Sequence, residues 1–289
     1  MRKNFIAAVG GLLFLALLIL IDLAGDWGRL GQGIDNLLTF TGESMWPPNW
    51  SVLEAQSYPV CEKDIEFFCS VGYIGMVETI KIAFVATILG FIGALSLSSF
   101  AAKNLMPMPI ALFFRIVLSA IRSLPSLIWA IIFVIVIGVG PLAGVLAMTF
   151  YTVGYLGKLQ YEAFEGMPSD SLEVSKAMGL SHPTIFTSVV VPETGNHLLS
   201  QLMFMFEYNV RHGTVIGLVG AGGIGFYINT YLKLLQYDKV LALLILIFIV
   251  VIIIDLLSLM IRSFVTDDGD VRQPKWFSFL KKLKKDSEQ

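Results

Sequence analysis

Long apolar runs alternate with short polar connections along this chain, and the runs have the length of membrane-crossing helices. A hydrocarbon core about 30 Å thick takes roughly 20 helical residues. Six runs meet that requirement, at about 5–24, 77–101, 110–138, 141–162, 194–215 and 240–262. The first begins at Phe5 and ends around Asp22, with no small-residue cleavage site after it, and so reads as an uncleaved anchor rather than a signal peptide. Gly140-Pro141 punctuates the join between the third and fourth. The fifth is the least apolar, since Glu207 and Arg211 interrupt it, and the apolar stretch LALLILIFIVVIIIDLLSLMI of the sixth holds a single charge, Asp255.

Composition agrees with the pattern. Of 289 residues, 56% are hydrophobic and 15% charged, and the mean hydropathy is +0.76, more apolar surface than a soluble core of this size needs. The chain reads as an all-α polytopic membrane protein with about six transmembrane helices. Its parts are an N-terminal transmembrane helix (1–24), an outer segment with interfacial helices (25–76), a membrane core (77–262) and a basic tail (263–289).

Six crossings place both termini on one side, and Lys and Arg bias identifies it. Arg2, Lys3, Lys103, Arg115, Arg122, Lys158, Lys176 and seven more toward the C-terminus fall on one side, against Arg29, Lys63, Lys233 and Lys239 on the other. Both termini and the connection after the fourth helix are therefore expected in the cytoplasm. The Lys-rich tail serves as the same orientation signal and as a solvated end, with lipid or partner binding as the alternative.

The outer segment carries Trp27, Trp46 and Trp50, as expected at the headgroup level. It also holds both cysteines, Cys61 and Cys69, which are a candidate disulfide on the outer side. Two free thiols are the alternative, and a metal site finds no histidine nearby.

Catalytic apparatus is nearly absent. There is no GxxxxGK[ST] phosphate loop, no HExxH and no GxSxG, and His182, His197 and His212 stand 15 residues apart, a spacing without metal-site logic. The glycine-rich run from Gly217 to Gly225 follows an apolar helix rather than a strand, so it reads as a tight turn and a place of close packing at the outer face. The middles of helices two to four hold almost no charge, which weighs against an ion-coupled secondary carrier or channel for small anions, the alternative class.

A polar, helix-forming insert, EVSKAMGLSHPTIFTSVVVP at 173–192, interrupts the apolar pattern. Pro168 with Ser169 or Asp170 can start a short helix, Gly179 can end it in the left-handed conformation, and Ser181 with Pro183 can start a second. Two rigid helices at an angle would project beyond the bilayer. Glu173, Val174, Ser175, Gly179, Val189, Val191 and Pro192 match the spacing of the E-A-A-x3-G-x9-I-x-L-P signature of ABC-importer permeases, with both alanines, the Ile and the Leu replaced.

RSLPSLIWA at 122–130, GVGPLAGVLAM at 138–148, GKLQYEAFEGM at 157–167 and NVRHGTVIGLVGAGGIGF at 209–226 resemble phosphonate- and phosphite-type permeases of the ABC importers. The likeness covers roughly 75–262. It implies a type I ABC-importer transmembrane domain in the cell inner membrane, working as a homodimer. Its partners would be a cytoplasmic ABC ATPase dimer and an extracytoplasmic substrate-binding protein. It implies no bond chemistry in this chain, no nucleic-acid partner and no cofactor bound by it, with ATP and Mg on the ATPase. The coupling helices, about 166–192, would engage the ATPase through Glu173, Ser175, Gly179, Leu180, Pro183 and Pro192. Cargo would be a phosphorus oxyanion.

Candidate path residues are Glu207, Asn209, Arg211 and His212 on the fifth helix. Arg211 offers a forked donor set for an oxyanion, or pairs with Glu207 one turn away and holds the helix. Arg122, before Leu124-Pro125, reads as an anchor at the inner interface.

Overall fold

The computed structural model describes residues 2–25, 28–55 and 66–265. Cys61 and the basic tail beyond residue 265 lie outside these. The chain divides into two units, Met1–Pro48 and Asn49–Gln289. Among the described residues the only strand-like feature is an isolated bridge between Ala55 and Ser70.

The smaller unit contains α1 (Arg2–Ala24) and α2 (Gly28–Phe40), followed by a π-turn over Thr41–Met45. Helix α1 spans 23 residues, and its stretch Ala8–Leu23 is apolar. In α2, Ile34, Leu37 and Leu38 form an exposed stripe at helical spacing, the pattern of a helix lying in a membrane interface.

The larger unit is a helix bundle: α3 (Val71–Ala101), α4 (Met108–Ser123), α5 (Ser126–Ile137), α6 (Pro141–Glu165), α7 (Ser169–Ala177), α8 (His182–Ile185), α9 (Val191–Ile216), α10 (Ile224–Lys233) and α11 (Tyr237–Val265). Of these α3, α6 and α11 are long and apolar enough to cross a membrane, and two bent pairs reach that length together.

One bent pair corrects the sequence reading. The expected third span, 110–138, is α4 and α5 meeting at 83°. Leu124 is extended at φ −97° and ψ 133° because the Pro125 ring excludes the helical region for its predecessor, and Pro125 has no N–H with which to continue the ladder. Helix α3 starts at Val71 with the Ser70 hydroxyl accepting from the Tyr73 N–H at 3.2 Å. Residues 49–55 join the bundle, since Val52 is fully buried in a cluster with Val71, Met76, Ile224 and Leu243.

Helix α6 is the central element, packed by α3, α4, α5 and α9. Small residues permit this: Ala143, Gly144, Ala147, Gly154 and Gly157 are all buried. A Cβ on Gly154 would lie 2.8 Å from the Arg122 nitrogen and 3.1 Å from its Cα. Opposite the insert, α9 ends in a 3₁₀ turn over Gly217–Val219, and Gly220, Gly222 and Gly223 take φ of 92°, 81° and 73° before α10 begins. The Gly140 N–H donates to the Gly220 carbonyl at 2.9 Å, which seats this turn on the start of α6.

Gly154→Val drives a side chain into the α4 backbone. We expect a loss of about 1–3 kcal/mol from overpacking, read as a lower melting temperature of the detergent-solubilised protein, with Ala147→Gly as a smaller perturbation on the same helix.

Candidate functional site

The polar insert is built as a lever. Helix α7 starts at Pro168 without a side-chain cap; neither Ser169 nor Asp170 fills that role, and the Ser169 hydroxyl points instead to Asp170 at 3.4 Å. The helix ends as expected, with Gly179 at φ +72°, its N–H donating to Lys176 O at 3.0 Å and the Leu180 N–H to Ser175 O at 3.3 Å. Leu172 and Ser175 face inward, and the Ser175 hydroxyl is spent on Ser171 O at 2.7 Å. Glu173 is exposed, and beside it Val174 and Met178 are 59% and 64% exposed.

The expected second helix is not independent. Helix α8, with Ser181 at its N-cap and Pro183 in its first turn, runs through a π-turn over Phe186–Val190 directly into α9. The Val191 N–H reaches five residues back to Phe186 O. The widening falls just before Pro192, whose ring and missing N–H would break a regular ladder. His182 to Val219 is thus one continuous helical segment, bent by 41° only at the glycine turn before α10.

An apolar joint fixes this lever to the bundle. Phe164, fully buried at the end of α6, packs with Ala102, Leu172, Ile185, Val190 and Leu198, and Phe186 meets it edge-on at 5.5 Å. Polar ties surround the joint. Lys176 Nζ donates to Asn104 O at 2.5 Å, Asn104 Nδ2 to Phe164 O at 2.7 Å, and the Lys103 N–H to Glu165 Oε1 at 2.6 Å. His182 stacks on Phe100 at 5.5 Å.

The polar residues of α9 separate into two groups. Asn209 is fully buried and donates to the hydroxyls of Thr87 on α3 and Thr152 on α6, at 2.9 and 3.0 Å. It pins three helices together and does not face an open path. Arg211 is half exposed, and its expected partner Glu207 is 4.0 Å away; its carboxylate is Asp255 of α11, with both oxygens at 2.6 Å. Glu207 pairs instead with Arg262. Asp255, a charge in the last apolar run, reads from the sequence as lying near the inner interface or bonding a neighbouring helix, and it bonds α9; Arg262 stands at the end of the same run. His212 stacks on Tyr208 at 3.7 Å, in an aromatic group with Tyr151, whose hydroxyl lies 2.8 Å from that of Tyr208.

Cys69 is disulfide-bonded, and among the described residues no group of His, Cys, Asp and Glu is arranged to hold a metal.

The family model for the binding-protein-dependent transport system inner membrane component matches residues 76–266. The phosphite transport system permease protein PtxC of Stutzerimonas stutzeri is 32% identical over 82% of this chain and 81% of its own length. The phosphate-import permease protein PhnE of Mycolicibacterium smegmatis (strain ATCC 700084 / mc(2)155) is 34% identical over 64% of this chain and 35% of its own. In fold, the chain resembles an inward-facing structure of the MetNI methionine ABC transporter, with a TM-score of 0.59 at 24% identity, over 68% of this chain and 96% of the other.

Removing Arg211 or Asp255 strands the other charge. A double-mutant cycle of Arg211→Ala and Asp255→Ala is expected to return a coupling of about 0.5–3 kcal/mol in melting experiments. Arg211→Ala with Glu207→Ala is expected to couple more weakly, as their 4.0 Å separation requires.

Proposed function

The chain belongs to the family of binding-protein-dependent transport system inner membrane components, and on that premise we propose that it is the permease subunit of an ATP-driven importer of phosphorus oxyanions. The permease works as a pair of copies in the inner membrane. A separate ATPase dimer docks on the insert at 166–192, and a binding protein delivers cargo to the opposite mouth. This chain binds no cofactor of its own; ATP and Mg belong to the ATPase.

The observation that carries the reading is the continuity of the insert with α9. Motion applied to α8 enters a helix that runs unbroken to the glycine turn, and the joint that packs Leu172 of α7 on Phe164 transmits motion of α7 to α6 at once. A flexible loop would dissipate that motion. Glu173 with the exposed Val174, Met178 and Leu180 offers a mixed polar and apolar surface for the ATPase. Ser175, Pro183 and Pro192 shape the lever rather than touch the partner. Lys and Arg bias puts the insert in the cytoplasm, where ATP is available.

Cargo follows from the named relatives, which handle phosphite and phosphate. The Arg211–Asp255 and Glu207–Arg262 pairs are tethers between α9 and α11 in this reading, holding two helices that shift together.

Gly179 separates coupling from assembly. Space around its Cα is open, so Gly179→Val acts through its positive φ alone, at about 1–2 kcal/mol. The transporter should assemble and hydrolyse ATP while uptake falls severalfold; normal coupled uptake would refute the lever. Phosphite, methylphosphonate, hypophosphite and phosphate should be compared for stimulation of ATP hydrolysis by the reconstituted complex, at least one being expected to act. If none does, the cargo assignment fails while the subunit assignment stands.

A further inference from the structure

A cavity of about 220 Å³ lies between α4 and α6. Its polar lining consists of Arg115, Ser119, Arg122, Lys158 and Tyr161, and no carboxylate lines it. The spacing is that of two facing helix surfaces: Arg115, Ser119 and Arg122 stand at i, i+4 and i+7 on α4, and Lys158 and Tyr161 at i and i+3 on α6. Every one of these side chains can donate a hydrogen bond.

Depth makes the cluster unusual. The sequence alone places Arg122 at the inner interface, but its backbone packs on Gly154 of α6. Gly154 stands thirteen residues after Pro141 and eleven before Glu165, about 20 Å and about 16 Å along the axis at 1.5 Å per residue. The Arg122 backbone therefore lies beside the middle of one of the helices long enough to cross the membrane, and its side chain is exposed on the open side of the cavity. Charges at that depth face a watered cavity or a partner, because hydrocarbon will not solvate them.

The cations are not equally engaged. Arg115 is committed to the wall: its Nε donates to Ala101 O at 2.9 Å, it pairs with Glu165, and its guanidinium sits 4.4 Å over the Tyr161 ring. Lys158 has only a half-exposed pair with Glu162 at 3.5 Å, a weak hold. Among the described residues no carboxylate lies within ion-pair distance of Arg122. Among the described residues the unspent donors are thus the Arg122 fork and the Ser119 and Tyr161 hydroxyls, and the Lys158 ammonium is held only by its pair with Glu162.

We propose that this cavity is a resting site for the transported phosphorus oxyanion, held by Arg122 and Lys158 at mid-membrane depth. The Arg122 fork matches two oxygens of a tetrahedral anion, Lys158 meets a third as a point charge, and the two hydroxyls complete an all-donor set. Ile116 and Leu118 leave an apolar wall for an organic substituent. The volume, about 220 Å³, accommodates an anion with a small substituent. A phospholipid headgroup shares the chemistry, yet would have to be drawn far from the interface to reach Arg122. The inference rests on the reading of the chain as a phosphorus-oxyanion permease.

The test is a phosphorus NMR titration of the full chain in maltoside micelles free of phospholipid, with phosphite, methylphosphonate and glycerophosphoglycerol as probes. Phosphite or methylphosphonate should bind. Arg122→Gln and Lys158→Gln should each weaken that binding about tenfold or more, the cost of losing a charged hydrogen bond. Arg122→Lys should weaken it less, and Lys239→Gln should not change it. Unaltered elution and melting temperature show that each variant is folded. Binding of glycerophosphoglycerol alone would make this a lipid site and overturn the proposal, as would wild-type affinity in both Gln variants or no binding of any probe. These outcomes leave the importer reading intact, because that reading falls only if the complete transporter takes up no phosphorus oxyanion.

Discussion

Hydrocarbon offers no hydrogen bonds, so every polar group between the ends of this bundle must be satisfied by the protein or by water that the protein admits. The helices meet that demand for the backbone. For side chains it must be met residue by residue, and much of the architecture records how. Asn209 finds two threonine hydroxyls on two other helices. Arg211 and Asp255, Glu207 and Arg262 find each other across α9 and α11. Where an exposed charge finds no such partner among the described residues, as with Arg122, the same constraint turns it from a structural feature into an indication of function.

Close packing of α6 makes these pairings possible. Its alanines and glycines let α3, α4 and α9 approach until short side chains such as Thr87, Thr152 and Asn209 can touch. The same approach lays the α4 backbone on Gly154 and brings Arg122 to the level of Lys158. At the insert end larger groups take over, and Phe164 closes a joint among α6, α7 and α9. The bundle is therefore tightest along α6 and ends in an aromatic hinge region where the insert attaches. That arrangement suits a rigid body moved from one end.

Much of this was legible along the chain because it depends on local rules. Run lengths located α1, α3, α6, α9 and α11, since helix length and membrane thickness are fixed quantities. Gly179 was identifiable as a helix stop because few other residues take positive φ there. The bend at Pro125 is hidden in the pattern because the apolar run continues across it, and length alone cannot tell a straight helix from a folded pair. Ser181 and Pro183 mark the start of α8 but nothing local marks its continuation into α9, because a π-turn over Phe186–Val190 absorbs Pro192.

By itself, then, the sequence determined the class of fold, the insert and its likeness to importer permeases, through periodicity, composition and spacing, all of which are properties of neighbours along the chain. Partners across helices are not. Asp255 rather than Glu207 holds Arg211, Asn209 turns inward, and Arg122 shares a cavity with Lys158 only because α6 is narrow enough at Gly154 to receive the α4 backbone. Those pairings depend on crossing points set by side-chain volume in three dimensions, and only the tertiary structure decides them.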